Sequence, residues 1–528
     1  MLSDYLKKLS KLVWFLPGFL LWAAYPPMGE RMDCLFALAP LMWLSRREIS
    51  ARKVAKCWFQ SGLFYWVATL SWMPAIMKNG GPWPLVVLGW FALAAYCAVY
   101  FGTYGYFSAR IWRWVRLGSY GRRLLAILVF EPILWCGLEL VRSRFLGGFS
   151  WNQLGVVPIN SGFGAPAALG GVYLCSAVVI LINGTIAGIV ERMWKPDQSG
   201  FSNLRRWGAI ETVLAFALIF GVYKMGALFV CDESSRETSK TRHLKVAMVQ
   251  RNFPCVFKAQ EENPYTVYER LLENVSVLRP DLVVLPESAL CEFGPIGRQH
   301  AMQFAQWIAS KTGGAALLAG GSRHEDGKIY NSAALYATNS VSIYDKVHLV
   351  PFGEFIPGDK WFPALQKFAP VGSCTAGRLD ILKLGDVNLG VGICFEDTDS
   401  AQMRELAKKG AKALCFITND SWFSQSNEAE QHAWQAVARA IETGLPVVRV
   451  GNSGVTGTIT PDGRASWLFD GKGHVLVDQE GVMLDRLNLI LEEFRPTPYV
   501  ILGDSPIGLA FALLIIALIL VEYRNKYE

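Results

Sequence analysis

Long apolar runs with almost no charge crowd the first 230 positions, and one more closes the chain. A bilayer crossing needs ~20 mostly apolar residues. Runs of that kind cover Leu12–Gly29, Cys57–Met77, Pro84–Ala109 and Leu169–Val190; Leu124–Val141 carries Glu131 and Glu139, and Trp207–Val230 carries Glu211 and Lys224. Cys34–Ser45 is short and holds Pro40, but is counted because the sidedness of the loops requires it; Pro506–Val521 is the last. The pattern predicts eight transmembrane helices, seven of them in a membrane domain over 1–230 and the eighth in 501–528.

After a polar linker at 231–243 the pattern changes to short apolar runs separated by glycine, proline and charge, which predicts an α/β domain over 244–500. Strands are expected at Leu244–Gln250, Asp281–Pro286, Ala315–Gly320, Ser332–Ala337, Asn388–Cys394, Ala413–Thr418, Val447–Val450 and Thr456–Thr460. Helices are expected at Tyr265–Val277, Arg298–Lys311, Ala401–Lys409 and Glu428–Thr443, the last with acids at its start and Gly444 as its stop.

Composition agrees: 52% of the 528 residues are hydrophobic and only 18% charged, against ~25% in ordinary globular domains. That excludes an ordinary soluble enzyme, a disordered chain and a disulfide scaffold. The net charge of +7 is modest, and its basic residues have a topological reading. They cluster at Lys7–Lys11, Arg46–Lys56, Arg110–Arg123, Arg192–Arg206 and Arg524–Lys526, all on one side if eight runs cross. Basic loops stay cytoplasmic, so both termini are expected there and the α/β domain outside. Nucleic-acid binding is not expected. Eleven cysteines without a C-x-x-C pair suggest neither a zinc site nor a disulfide framework.

Three strand ends carry reactive groups. Val283-Val284-Leu285-Pro286-Glu287 places a carboxylate just past an apolar strand, and Tyr344-Asp345-Lys346 is followed eight residues on by Glu354. Gly390-Val391-Gly392-Ile393-Cys394-Phe395-Glu396 sets a thiol where a glycine-flanked strand turns. Singly, each has a bland reading as a solvated acid, a surface lysine or a buried small hydrophobe. Jointly, and with Asn419-Asp420-Ser421-Trp422-Phe423, they resemble the Glu-Lys-Cys triad of the nitrilase superfamily. With the membrane runs, and with Leu70-Ser71-Trp72, Glu139-Leu140-Val141-Arg142 and Gly148-Phe149-Ser150-Trp151, the whole chain is similar to the apolipoprotein N-acyltransferases. Phe395 departs from a tyrosine common at that place.

The resemblance implies a membrane-bound α-helical domain and an extracytoplasmic nitrilase-like αββα sandwich in a bacterial inner membrane. It implies acyl transfer from a phospholipid, phosphatidylethanolamine being the usual donor, to the N-terminal amine of a diacylglyceryl apolipoprotein. In that chemistry Cys394 is the nucleophile, Glu287 the base, and Lys346 with the N–H of Phe395 the oxyanion stabiliser, needing no metal or other cofactor. Glu354 and Glu396 are expected to support Lys346 or the acceptor amine, or to be plain structural ion pairs. Phe352, Phe355, Trp361 and Trp422 are expected to contact lipid, ordinary packing being the alternative for the aromatic stretch from Phe352 to Pro370. Cys415, mid-strand, reads as core. A monomer is expected. A membrane-tethered amidase and a non-catalytic receptor or transporter are the competing functions.

Overall fold

The computed structural model describes residues 14–48, 50–117, 119–193, 201–230, 241–254, 262–273, 275–338, 340–357, 373–491 and 496–527, without the side chains of 201–207, 522 and 524–527. Trp361, Phe362, Phe368 and Cys255 lie outside the described residues. The chain divides into two compact units, one made of residues 1–77, 81–229 and 502–528, the other of 78–80 and 230–501.

The first unit is helical. Its helices are α1 Phe15–Ala23, α2 Ala39–Arg47, α3 Ala51–Thr69, α4 Trp83–Arg116, α5 Tyr120–Arg142, α6 Ala167–Met193 and α7 Phe201–Ala227. Among the described residues, four stretches are long and apolar enough to cross a membrane: α4, α5, α6 and Gly208–Ala227 within α7; Ser505–Val521 is a shorter apolar helix. The runs predicted as the first two crossings form nine-residue helices, α1 and α2, each ~14 Å of rise. Close packing depends on small residues: a Cβ on Gly105 of α4 would stand 2.4 Å from the Trp58 ring of α3. The acids inside the predicted fifth span are paired. Glu131 accepts from Ser108 and Trp112 at 2.8 and 2.9 Å. Glu139 accepts from the Leu154 N–H at 2.8 Å, and Arg142 donates to the Trp151 carbonyl at 2.9 Å, so together they hold the buried 150–158 loop rather than stand ready as reagents.

The second unit, among the described residues, is two six-stranded sheets. One runs β12-β1-β2-β3-β4-β5 and the other β11-β10-β9-β8-β7-β6. The strands are β1 Thr241–Gln250, β2 Leu282–Val284, β3 Ala316–Glu325, β4 Lys328–Ala337, β5 Ser340–Asp345, β6 Ile381–Leu384, β7 Val387–Ile393, β8 Ala413–Thr418, β9 Val447–Gly451, β10 Gly457–Ile459, β11 Ala465–Trp467 and β12 Gly481–Ile490. Leu244, Val246, Val284 and Leu318 of the first sheet share one buried core with Leu389, Val391, Cys415 and Val448 of the second. On the outer side of the first sheet, Val283, Leu317 and Ala334 pack with helix α8 Pro264–Leu272 and helix α9 Gln299–Lys311 through Tyr268, Leu272, Phe304 and Ile308. Helices α10 Ser400–Lys408 and α11 Glu428–Thr443 cover the second sheet, which completes an αββα sandwich. The last helix, α12 Ser505–Tyr527, returns to the first unit.

The predicted strands are β1–β4 and β7–β10, the eight interior strands of the two sheets. The four that the pattern misses, β5, β6, β11 and β12, are the four edges. An edge strand keeps one flank in solvent and carries polar residues against mispairing, so Ser340–Asp345 and Gly481–Ile490 do not read as apolar runs. β1 also starts at Thr241, inside the segment read as linker.

Candidate active site

Each sheet delivers part of one cluster at its strand ends. From the first sheet, Glu287 follows β2, Asn331 lies on β4 and Lys346 follows β5. From the second, Cys394 follows β7 and Asn419 follows β8. The parallel neighbours β1-β2-β3 and β7-β8-β9 place the Glu287 and Cys394 turns at matching carboxyl ends, where open α/β sheets gather function. Glu287 approaches β3 so closely that a Cβ on Gly320 would stand 2.6 Å from its Cα.

The backbone at the site is held in unusual conformations. Cys394, Ser288 and Phe352 have φ of +54°, +67° and +63°, the left-handed region that costs a non-glycine residue about 1–3 kcal/mol. At Cys394 this turns the strand sharply into the short helix 394–398 and lifts the side chain out of the sheet. Glu396 locks the turn from below. It is fully buried and accepts from the N–H groups of Ile393, Val347 and His348 at 2.8, 2.8 and 3.0 Å, and from the Tyr344 hydroxyl at 2.9 Å. One carboxylate therefore ties the Cys394 turn to the strand end that bears Lys346.

Around the thiol the charges form a chain. Lys346 Nζ lies 2.9 Å from Glu354 Oε1. Asn331 Nδ2 donates to both Glu354 Oε1 and Glu287 Oε1, at 2.7 Å each. The Asn419 N–H donates to Glu287 Oε2 at 2.9 Å. Sequence reasoning misses Asn331, because a polar residue inside a strand carries no signal of its own; only its proximity to two acids in the fold reveals it.

The electrostatics follow from burial plus these neighbours. Burial pushes the Glu287 carboxyl above its usual range; Lys346 opposes the rise, Glu354 adds to it, and the bonds from Asn331 and Asn419 oppose it again. Burial, then the negative Glu287, push the Cys394 thiol well above its ordinary value, with Lys346 opposing. Burial works against the Lys346 ammonium, yet Glu354, Cys394 and Glu287 reverse this and raise it, so it stays charged. Geometry and charge thus bring together a neutral thiol, a carboxylate of strengthened basicity and a fixed cation.

The remaining predicted residues are placed less centrally. The Phe395 ring meets His348 edge-on with centroids 5.6 Å apart. Phe352 is 67% exposed, its N–H donating to the Phe355 carbonyl at 2.7 Å. Trp422 is half-buried, and its carbonyl accepts from Asn79 at 2.9 Å. Cys415 is buried in the core between the sheets, where desolvation pushes its thiol up to about 12. Beneath the turn, Asp420, Glu428 and His432 bring ligand atoms within 4.8 Å of one another. Arg449, fully buried and ion-paired with Asp397, already supplies that cluster with positive charge.

Residues 17–185 match the family described as apolipoprotein N-acyltransferase N-terminal domain, and residues 245–481 match carbon-nitrogen hydrolase. Relatives with the name apolipoprotein N-acyltransferase include one from Geobacter metallireducens, 28% identical over 89% of this chain and 87% of its own. Another, from Neisseria meningitidis serogroup B, is 28% identical over 97% and 96%. Among solved structures, a CN-hydrolase superfamily protein from Xanthomonas campestris aligns with 50% of this chain and 98% of its own at 18% identity, with a TM-score of 0.37.

Proposed function

Since the chain belongs to the apolipoprotein N-acyltransferases of the carbon-nitrogen hydrolase superfamily, we propose that Cys394, Glu287 and Lys346 carry its acyl transfer. The enzyme N-acylates lipoproteins during their maturation, with a membrane phospholipid as donor. The observation that carries the residue assignment is the run of contacts Glu287–Asn331–Glu354–Lys346, whose lysine end Glu396 ties to the Cys394 turn through the N–H groups of Val347 and Ile393.

A neutral thiol needs a base at the moment of attack, because the thiolate is the nucleophile. Glu287 takes the Sγ proton as sulfur adds to the ester carbonyl. The oxyanion that forms is stabilised by Lys346 and the Phe395 N–H; one such donor contributes roughly 10²–10³ in rate. The C–O bond breaks, Glu287 returns the proton to the departing lysophospholipid oxygen, and a thioester remains. The acceptor amine then adds to the thioester, its proton passing through Glu287 to the leaving Cys394 sulfur. Splitting the reaction at the thioester replaces one difficult displacement by two easier ones. Glu354 holds Lys346, Glu396 holds the turn, and Phe352, Phe355 and Trp422 face the lipid in this reading.

The donor is phosphatidylethanolamine and the acceptor is the α-amine of diacylglyceryl-cysteine. The chain works as a monomer with eight crossings of the inner membrane, both termini cytoplasmic and the 244–500 domain periplasmic. The alternate-side basic clusters support that topology. Tethered-amidase and receptor readings leave the match of residues 17–185 without a purpose.

The test uses the purified full chain with phosphatidylethanolamine labelled in its acyl chain. Intact-mass analysis is expected to show one added acyl group that Cys394→Ser abolishes. Loss of that adduct in Cys415→Ser but not in Cys394→Ser would overturn the assignment.

A further inference from the structure

Beneath the nucleophile turn lies a second cluster that the acyl-transfer chemistry leaves unused. His432 on α11 is 1% exposed. Its Nε2 stands 3.0 Å from Asp397 Oδ1 and its Nδ1 3.0 Å from Asp420 Oδ1, with Glu428 Oε1 at 3.5 Å. Arg449 of β9 pairs with Asp397 and lies 3.5 Å from Asp420. Arg439, nearby on α11, pairs with Glu442 and donates to the Thr398 carbonyl at 2.8 Å.

Both ring nitrogens of His432 lie at ion-pair distance from carboxylates, Nδ1 also hydrogen-bonded with Asp420, and acids on both flanks favour the imidazolium. Two bases, His432 and Arg449, thus stand against two acids, Asp397 and Asp420. Burial alone would lower His432, but Asp397 and Asp420 raise it to about 10. Burial beside Asp420 pushes Glu428 well up. Arg449 as a fixed cation also argues against a metal between Asp420, Glu428 and His432, since the site holds its compensating positive charge already.

The position of this cluster decides its use. Asp397 is three residues after Cys394. Asp420 directly follows Asn419, whose N–H holds Glu287 Oε2. His432 therefore bridges the turn that presents the nucleophile and the loop that orients the base. We propose that His432, as a buried imidazolium, is a positioning residue that sets the Cys394 turn against the Glu287-holding loop. It touches no reacting atom, and works by fixing two segments from one point.

This inference rests on Glu287 being the base, and the two fail differently: full adduct formation by Glu287→Gln would remove that reading, whereas the outcomes below concern His432 alone. In the full-length protein, H432Q is expected to form the acyl adduct roughly 10–100-fold more slowly, at an unchanged half-saturating lipid concentration. Its acid limb should move to higher pH, because a displaced Asn419 no longer lowers the Glu287 carboxyl; the other groups facing Glu287, namely Lys346, Glu354 and Cys394, are unaltered. H432Q/D420N removes one charge of each sign and covers the case in which the single variant does not fold. It should show the same slow rate and shifted limb. A wild-type rate and limb in either folded variant would overturn the proposal. In the wild-type protein, ring-¹⁵N-labelled histidine should give one doubly protonated imidazolium at pH 8. A neutral tautomer for all six histidines, or a stoichiometric divalent metal by elemental analysis that H432Q lacks, would equally defeat it.

Discussion

The two sheets of the catalytic unit treat charge in opposite ways. At the ends of the first sheet, Glu287, Lys346 and Glu354 leave an excess of negative charge beside a thiol that keeps some exposure. Under the ends of the second sheet, Asp397, Asp420, Glu428, His432 and Arg449 are sealed and balanced. In the proposed chemistry the first group exchanges a proton with substrate. The second cannot reach one, and its ions persist in low dielectric because each has a partner. Reactivity and rigidity are thereby assigned to different sheets, and Cys394, standing on the rigid side, faces the reactive one.

Removing the proposed base should break this division most severely. Glu287→Gln keeps the shape, but its one amide oxygen cannot replace both carboxylate oxygens that accept from Asn331 and the Asn419 N–H, and it cannot take the thiol proton. Acyl-adduct formation is expected to fall by about 10³-fold or more, within the range of lost general-base and nucleophile functions, with the thermal unfolding transition preserved. A normal adduct yield would put the base elsewhere.

Lys346→Met removes the fixed cation from the same sheet. The rate should fall roughly 10²–10³-fold, and the sign of the pH shift is set. Lys346 lowers the Glu287 carboxyl, so its loss raises that group further and moves the acid limb of adduct formation to higher pH. A limb left in place would mean that Lys346 does not act on Glu287.

On the second sheet the same kind of deletion should register first in stability, any shift of the acid limb passing through the Asn419 loop as for H432Q. Arg449→Met strands Asp397 and Asp420 without their guanidinium. Taking one partner from a buried pair typically costs about 3–5 kcal/mol, read as a lower midpoint in chemical denaturation. If the variant unfolds like the wild type, Arg449 is not the cation that holds Asp397 and Asp420 in the buried cluster.

The sequence reveals these clusters unequally, for physical reasons. Glu287 and Cys394 each end an interior strand, and an apolar run that stops at a reactive group is visible without coordinates. Lys346 ends the edge strand β5, which carries no such run, and is legible only through its motif. The eight interior strands are legible because both faces are buried. Edges β5, β6, β11 and β12 are not, because half of their surroundings is water. His432 and Asp420 stand in recognisable segments, but a buried ion looks like a surface ion until its partners are placed. Arg449 is the sharpest case. It sits in the apolar run Val447-Val448-Arg449-Val450, and the carboxylates of Asp397, 52 residues away in sequence, and of Asp420 account for it. In the membrane unit, runs locate the helices, while the fold of the 150–158 loop depends on Glu139 and Arg142 from another segment.

The smallest effect should come from Glu354→Gln, and it separates two ways in which one acid can matter. Glu354 raises the Glu287 carboxyl through repulsion and also anchors Lys346. If repulsion dominates, the neutral glutamine lowers Glu287, and the acid limb moves to lower pH, opposite in sign to the Lys346→Met shift. The amide oxygen of the substituted side chain can still accept from Lys346 and from Asn331, while the bond from the Val350 N–H to Glu354 Oε2 is lost, so the plateau rate should drop about tenfold, the scale of ~1.4 kcal/mol in positioning. If anchoring dominates, Lys346 drifts from the site, Glu287 loses the cation that lowers it, and the limb moves upward instead. A pH series of adduct formation rates on Glu354→Gln, set beside Lys346→Met, reads the sign directly. A downward shift assigns Glu354 to the titrating side of the division, and an upward one makes it a structural prop like Glu396.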